Sequence, residues 1–408
     1  MASASVSDRP RLTAIRAAAL FDGVSATLIR EPVVVLDGPA ILRIDQGTVP
    51  HGAQVVDLPG TTLLPGLIDP HVHLAFDASA DPVAALAARD DNAALAAMTA
   101  AGHAALRAGI TTVRDLGDRG YLSLSLRDAP GLPTIVAAGP PVTTPAGHCH
   151  FLGGAADPEP RALRAAVRER AGRGVDVIKV MASGGTMTPG TRQEVAQFTP
   201  EQLTVIVDEA HRLGLPVTAH AHGTGAIRAA LDAGVDGMEH VSFWSADGVD
   251  EPGDLLGRIS ASGVTVGITA GVAPVPGAAP PPVVAMRMPR IVANTRAMYG
   301  AGARMVIGTD GGIGLTKPHD VLPYALIQTS MIGLEAATAL RLATSAAAEA
   351  CGLGDRKGRL RAGFDADILA VQGNPLLDLA ALRHVRAVFA RGVPVDPRPP
   401  GQASGSSR

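Results

Sequence analysis

Cysteine is nearly absent from this chain: Cys149 and Cys351 are the only two in 408 residues. They imply no disulfide framework, and a reducing compartment suits them. Aromatic residues make up 3% of the sequence, with a single tryptophan, Trp244. Alanine and glycine are abundant, so that scarcity reads as compositional bias and not as chemistry. Charge of either sign is not in excess. The formal net charge is -3, which leaves no basic footprint for nucleic acid. No uninterrupted apolar run approaches the roughly 20 residues of a membrane span. Residues 1–10 lack the apolar stretch of a signal peptide. The expectation is a cytoplasmic, globular protein with a sizeable core, acting on a small molecule and not on nucleic acid or a membrane.

The ends of the chain differ from its middle. Residues 1–10 and 397–408 are rich in Ser, Pro, Gly and Arg and read as disordered tails. Residues 11–60 hold short apolar runs punctuated by Asp-Gly at 22–23 and 37–38, and similar runs return within 356–396. Together they predict one small β domain built from both termini. Residues 61–355 alternate strands and helices. Candidate strands end at His71, Asp115, Ala138, Met181, His220, His240, Thr269 and Asp310. Candidate helices run over Asp81–Ala108, Arg161–Arg173, Pro200–Leu213 and Thr224–Ala233, and Thr199-Pro200 supplies a helix start. Such alternation favours a parallel sheet, either a TIM barrel or a doubly wound open sheet. Polar residues fall near the C-terminal ends of strands spread along the chain. A closed barrel gathers those ends at one mouth, so the α/β (β/α)8 barrel is preferred.

The polar residues on these strands carry the chemistry. Leu64-Pro65-Gly66-Leu67-Ile68-Asp69-Pro70-His71-Val72-His73 reads as a buried strand ending in two histidines. Alternate strand residues face one side, so both imidazoles can aim at one point, as metal ligands or as a hydrogen-bonded pair. Lys179 interrupts the apolar run Asp176–Met181. It is either half of a buried ion pair or an amine made neutral by burial, able to take up CO2 as a carbamate. His220, His240 and Asp310 follow at later strand ends, and Asp310 precedes Gly-Gly, where turn capping is the competing role. His148 and His150 follow the third strand, and either can contact substrate. His222 projects beside His220 and is a third substrate-binding candidate. The proline-rich segment Ala270–Pro289 reads as a stiff lid or pocket wall, or else as a mobile surface insertion.

Pro65–His73, the strand lysine, the two later histidines and Gly308-Thr309-Asp310 resemble the amidohydrolase superfamily. The resemblance covers essentially the whole chain. Ile178–Gly185 and Ala219–Gly223 are most similar to the branch of imidazolonepropionase-related and prolidase-type enzymes, ochratoxin amidohydrolase and arylurea hydrolases. It implies a (β/α)8 barrel with a composite β-sandwich from both termini. It implies two divalent cations, zinc first among them: one on His71, His73 and Asp310, a second on His220 and His240, bridged by N6-carboxylated Lys179. The implied reaction is hydrolysis of an amide, carbamate or urea C–N bond by a metal-bridging hydroxide, with Asp310 as general base and then acid. A prolidase-like carboxypeptidase acting on N-acyl amino acids is the alternative, although His222 stands where such relatives can carry a tyrosine. A non-catalytic scaffold and a metal-dependent lyase or isomerase complete the set. Assembly into a homo-oligomer is compatible with all of these.

Overall fold

The computed structural model describes residues 12–396; both terminal tails expected from composition lie outside that range. The chain begins with β1 (Thr13–Leu20), β2 (Ile29–Arg30), β3 (Pro32–Asp37), β4 (Ala40–Gln46) and the long β5 (Gln54–Pro65). A two-residue turn at Gly38-Pro39 closes the β3–β4 hairpin, as the Asp-Gly pair there suggests. The Asp22-Gly23 pair does something else. Its carboxylate accepts hydrogen bonds from the backbone of Val24 and Ser25 and shapes the loop before β2.

Past Gly66 the chain alternates. β6 (Leu67–Val72), β7 (Ile110–Asp115) and β8 (Thr134–Ala137) form one parallel sheet. β9 (Ile178–Met181), β10 (Val217–Gly223), β11 (Gly237–Trp244), β12 (Thr265–Thr269) and β13 (Arg304–Gly308) form a second, also in chain order. Every connection between consecutive strands from β6 to β13 carries helix, and the helices turn apolar stripes inward. Ala94, Met98, Ala101 and Ala105 show the helical period on Asp91–Arg107, as do Leu203, Ile206, Val207 and Ala210 on Pro200–Arg212. The latter helix starts with a full capping box from Thr199 and Gln202.

Two seams join the sheets. At one, Asp310 N–H donates to His71 O (2.8 Å) and His73 N–H to Gly311 O (2.9 Å). At the other, Val142 N–H donates to Lys179 O (2.8 Å) and Met181 N–H to Val142 O (2.9 Å). The first seam is tight: a Cβ on Gly308 would lie 2.6 Å from the His71 Cβ.

β14 (Ile368–Gln372), β15 (Val385–Ala390) and β16 (Val393–Pro394) return to the first sheet, whose main path is β16-β15-β14-β5-β1-β3-β4. It has a core of its own, including Ile15, Leu36, Leu63, Ile368 and Phe389. A buried Lys357 ammonium pairs with Asp365 at 2.8 Å and with Asp367, pinning the returning segment. Among the described residues, no helix is long and apolar enough to cross a membrane.

Two local expectations change. The helix expected over Asp81–Ala108 is two, Pro82–Ala87 and Asp91–Arg107, because the Asp81 and Asp90 carboxylates each accept an N–H of a first turn. The proline-rich segment is loop only as far as Pro281. Pro282 opens the helix Pro282–Gly300, since proline suits a first turn that needs no N–H there; Pro289 lies within that helix.

The close approach at the first seam gives a direct test. Gly308→Ala should destabilise the fold by about 1–3 kcal/mol by wedging β13 from β6. Chemical denaturation measures it, and an unchanged midpoint would mean the seam spreads freely.

Candidate metal centre

Parallel strands in sequence order place their C-terminal ends on one edge. His71 lies near the end of β6 with His73 just past it, Lys179 lies on β9, His220 on β10, His240 on β11, and Asp310 just past β13. The rings of His71 and His73 are 5.4 Å apart, His71 and His240 5.1 Å, and His220 and His240 4.7 Å. One Asp310 carboxylate oxygen is 3.2 Å from His73 Nε2 and 3.5 Å from His71 Nε2. Among the described residues, ligand atoms of His71, His240 and Asp310 lie within 4.8 Å of one another, and so do those of His220, His222 and His240.

Hydrogen bonds decide which ring nitrogen is available. His71 Nδ1–H donates to Glu239 Oε2 (2.9 Å), and His73 Nδ1–H to Gly117 O (3.2 Å). His240 Nδ1 pairs with Thr269 Oγ1 (2.8 Å). His220 Nε2–H donates to Gly184 O (3.0 Å). These contacts leave Nε2 of His71, His73 and His240, and Nδ1 of His220, free to bind. Burial, with Lys179 beside it, pushes His71 down to about 4. Burial also takes His220 and His240 well below the usual histidine value. These three rings are therefore neutral, as ligands must be.

Lys179 is 1% exposed, and among the described residues its Nζ has no hydrogen-bond partner. Burial lowers its pKa to about 8 despite the opposing pull of Glu239 and Asp310. An unpartnered buried amine is costly as it stands, and it suits a residue that gains a carboxyl group.

The substrate candidates separate. His148 is buried, 4.8 Å ring to ring from His220, with Nδ1 unpartnered. His150 is exposed, and its Nδ1–H turns back to Gly147 O (2.9 Å), so the structure does not bring it to the cluster. His222 is stacked on His240 at 4.2 Å and 14°. Lone pairs lie in the ring plane, so two parallel stacked rings do not converge on one ion. Its Nδ1 meets Ser242 Oγ at 2.7 Å. Cys149 is buried, and burial pushes its thiol up to about 12, so it is no nucleophile. Arg287 lies over the Trp244 ring (4.5 Å) and donates to Gly248 O, and Arg290 pairs with Glu251; neither guanidinium is turned to the cluster.

Residues that sequence reasoning passed over support the cluster. Glu239, 1% exposed, receives His71, the Arg114 guanidinium (3.0 Å) and the Thr218 hydroxyl (2.8 Å). Burial opposes its charge, but His71 and Arg114 hold its carboxyl well below the usual range. Asp69 accepts from Thr309 Oγ1 (2.6 Å), Thr309 N and His71 N, and burial pushes it up to about 7. Lys317 donates to Ala270 O and Thr309 O just before Asp310. The signal for Glu239 was present: a charge inside an apolar strand, the criterion that singled out Lys179. Strand alternation pointed it away from His240. The backbone breaks that alternation with left-handed φ at His240 (73°) and Val241 (44°).

Buried imidazoles with fixed tautomers, an aspartate among them and an unpartnered amine define a hydrolase-type centre with candidate metal-binding groups. The sequence profile of the amidohydrolase family matches residues 62–395, and the chain belongs to that family. It is a hydrolase acting on carbon–nitrogen bonds. Ochratoxinase of Aspergillus niger is 31% identical over 361 residues, spanning 80% of this chain and 73% of that protein. Imidazolonepropionase of Mesorhizobium japonicum is 28% identical, spanning 86% and 89%. The crystal structure of a Xaa-Pro dipeptidase with bound methionine superposes with a TM-score of 0.81 at 28% identity, spanning 94% of this chain and 99% of that one.

The Glu239 contact is testable. Glu239→Gln should weaken metal binding by about 10–100-fold through loss of His71 orientation. It should also cost about 3–5 kcal/mol of stability, because Arg114 is left buried without a counter-charge. Metal titration and denaturation measure the two effects; wild-type values for both would show that backbone alone positions His71.

Proposed function

We propose that this protein is a binuclear metal-dependent hydrolase that cleaves an amide, carbamate or urea bond of a small molecule. Strands β6 to β13 are read as one (β/α)8 barrel, with the mixed sheet as a second, β-sandwich-like domain built from residues 11–60 and 356–396. The observation that carries the reading is the partnerless Nζ of Lys179 among neutral, pre-oriented imidazoles. His71, His73 and Asp310 would hold one ion, and His220 and His240 the other. N6-carboxylated Lys179 would bridge them, with zinc as the metal that suits this donor set. When bound, the ions supply a nucleophilic hydroxide near neutral pH and polarise the carbonyl oxygen.

The chain's own groups do the rest. The Asp310 carboxylate lies against the Nε2 atoms of His71 and His73, where a bound cation would hold it ionised. It can take a proton from the nucleophile and return it to the leaving nitrogen. His148, neutral and unpartnered at Nδ1, faces the same space and is placed to contact the carbonyl oxygen as charge develops. His222 covers His240 and meets the substrate instead of an ion. Kinship with the Xaa-Pro dipeptidase supports a second reading, carboxypeptidase-like action on N-acyl amino acids; a strict need for a substrate carboxylate would select it. Low net charge and few cysteines fit a cytoplasmic enzyme with no nucleic-acid partner.

After growth with zinc and bicarbonate, elemental mass spectrometry should find about two equivalents of metal. Lys179→Ala should lose most of it while remaining folded; full retention would count against the carbamate bridge. Asp310→Asn should lower kcat by about 10²-fold or more with the fold intact. Near-normal turnover would remove Asp310 from proton transfer.

A further inference from the structure

The connection from β9 to the helix Pro200–Arg212 folds over the strand-end histidines. Its residues 192–194 are pressed down on both sides. A Cβ on Gly184 would lie 2.4 Å from Arg192 O, and one on Gly223 would lie 2.5 Å from Glu194 O. Gly184 N–H donates to Val195 O (3.0 Å), and Ser183 and Ala196 form an antiparallel bridge. Gln193 is thus held between two backbone contacts that tolerate no side chain, a rigid mount at the mouth of the site.

Its carboxamide is half used. Gln193 Nε2–H points to His222 Nε2 at 3.4 Å, and His222 is stacked on His240. Gln193 Oε1 is shielded from solvent and has no partner among the described residues. A shielded carbonyl-type oxygen that no protein group satisfies is one a ligand is placed to satisfy. Oε1 only accepts, so the matching group on the ligand is a donor.

We propose that Gln193 is a specificity-determining residue whose side-chain oxygen accepts a hydrogen bond from an N–H adjacent to the carbonyl under attack. This rests on the hydrolase reading above and narrows it. Secondary amides, N-monosubstituted carbamates and ureas bearing that N–H are favoured over fully N-substituted analogues. A fully substituted analogue leaves the oxygen buried without a donor, and discrimination follows from that loss.

The test uses the zinc-loaded full-length enzyme and a matched pair of acyl anilides that differ only in N–H against N–CH3. Affinity is read by isothermal titration, and kcat/KM by product release. Wild type should favour the N–H member by roughly ten- to hundredfold, carried mainly in affinity. Gln193→Leu should erase the preference by weakening only that member. Gln193→Glu, which keeps an acceptor oxygen, should retain most of it. Equal weakening of both members by Gln193→Leu would overturn the assignment and leave a structural role. A gain from a substrate carboxylate that Gln193→Leu abolishes would also overturn it, by showing that the amide presents its nitrogen. A wild type that prefers the N–H member in binding but hydrolyses neither upholds Gln193 and overturns the hydrolase reading. Hydrolysis of both with no preference does the reverse.

Discussion

The buried carboxylate of Glu239 is the contact on which the centre depends. It sits beneath the cluster and joins an imidazole, a guanidinium and a hydroxyl from β6, β7 and β10. An isolated charge there would be prohibitively costly; shared among these partners it becomes a fixed point. Arg114 extends the same network outward, donating to Pro70 O and Ala350 O, so the strand bearing His71 is held from below as well. The tautomer of His71, and so the nitrogen it presents, follows from one hydrogen bond to this carboxylate.

Much of this was legible in the chain because parallel strands in chain order bring their C-terminal ends to one edge. His71, Lys179, His220, His240 and Asp310 could be named from periodicity and position alone, and they gather as the spacing implied. Glu239 carried the same signal as Lys179, but a strand residue next to His240 should face the other way. A left-handed backbone at His240 reverses that, and sequence gives no warning of a positive φ on a histidine. His150 failed for a different reason. A loop residue's direction is set by the nearest unsatisfied acceptor, here Gly147 O, and no periodic rule reports it. Proline was over-read: at Pro282 it starts a helix, although a proline-rich run suggests only loop.

The surroundings of the cluster are shaped as much by what they withhold. Trp244 and the 245–248 turn are occupied by Arg287, and Arg290 by Glu251. The nearby cations of the helix Pro282–Gly300 therefore serve architecture. The side chains nearer the imidazoles, His148 and His222, are kept uncharged by burial.

The two seams have a mechanical consequence. One passes through His71 and Asp310, the other through Lys179, and at each only a few backbone hydrogen bonds join the two sheets. Of the groups that would grip an ion, His71, Lys179 and Asp310 sit at these joints, while His220 and His240 lie inside the five-stranded sheet. An ion held there would work as a clasp between two hinged plates. The main-chain amides of His73, Asp310 and Met181 become natural gauges of whether the clasp is shut, slow to exchange with deuterium when it is and quick when it opens.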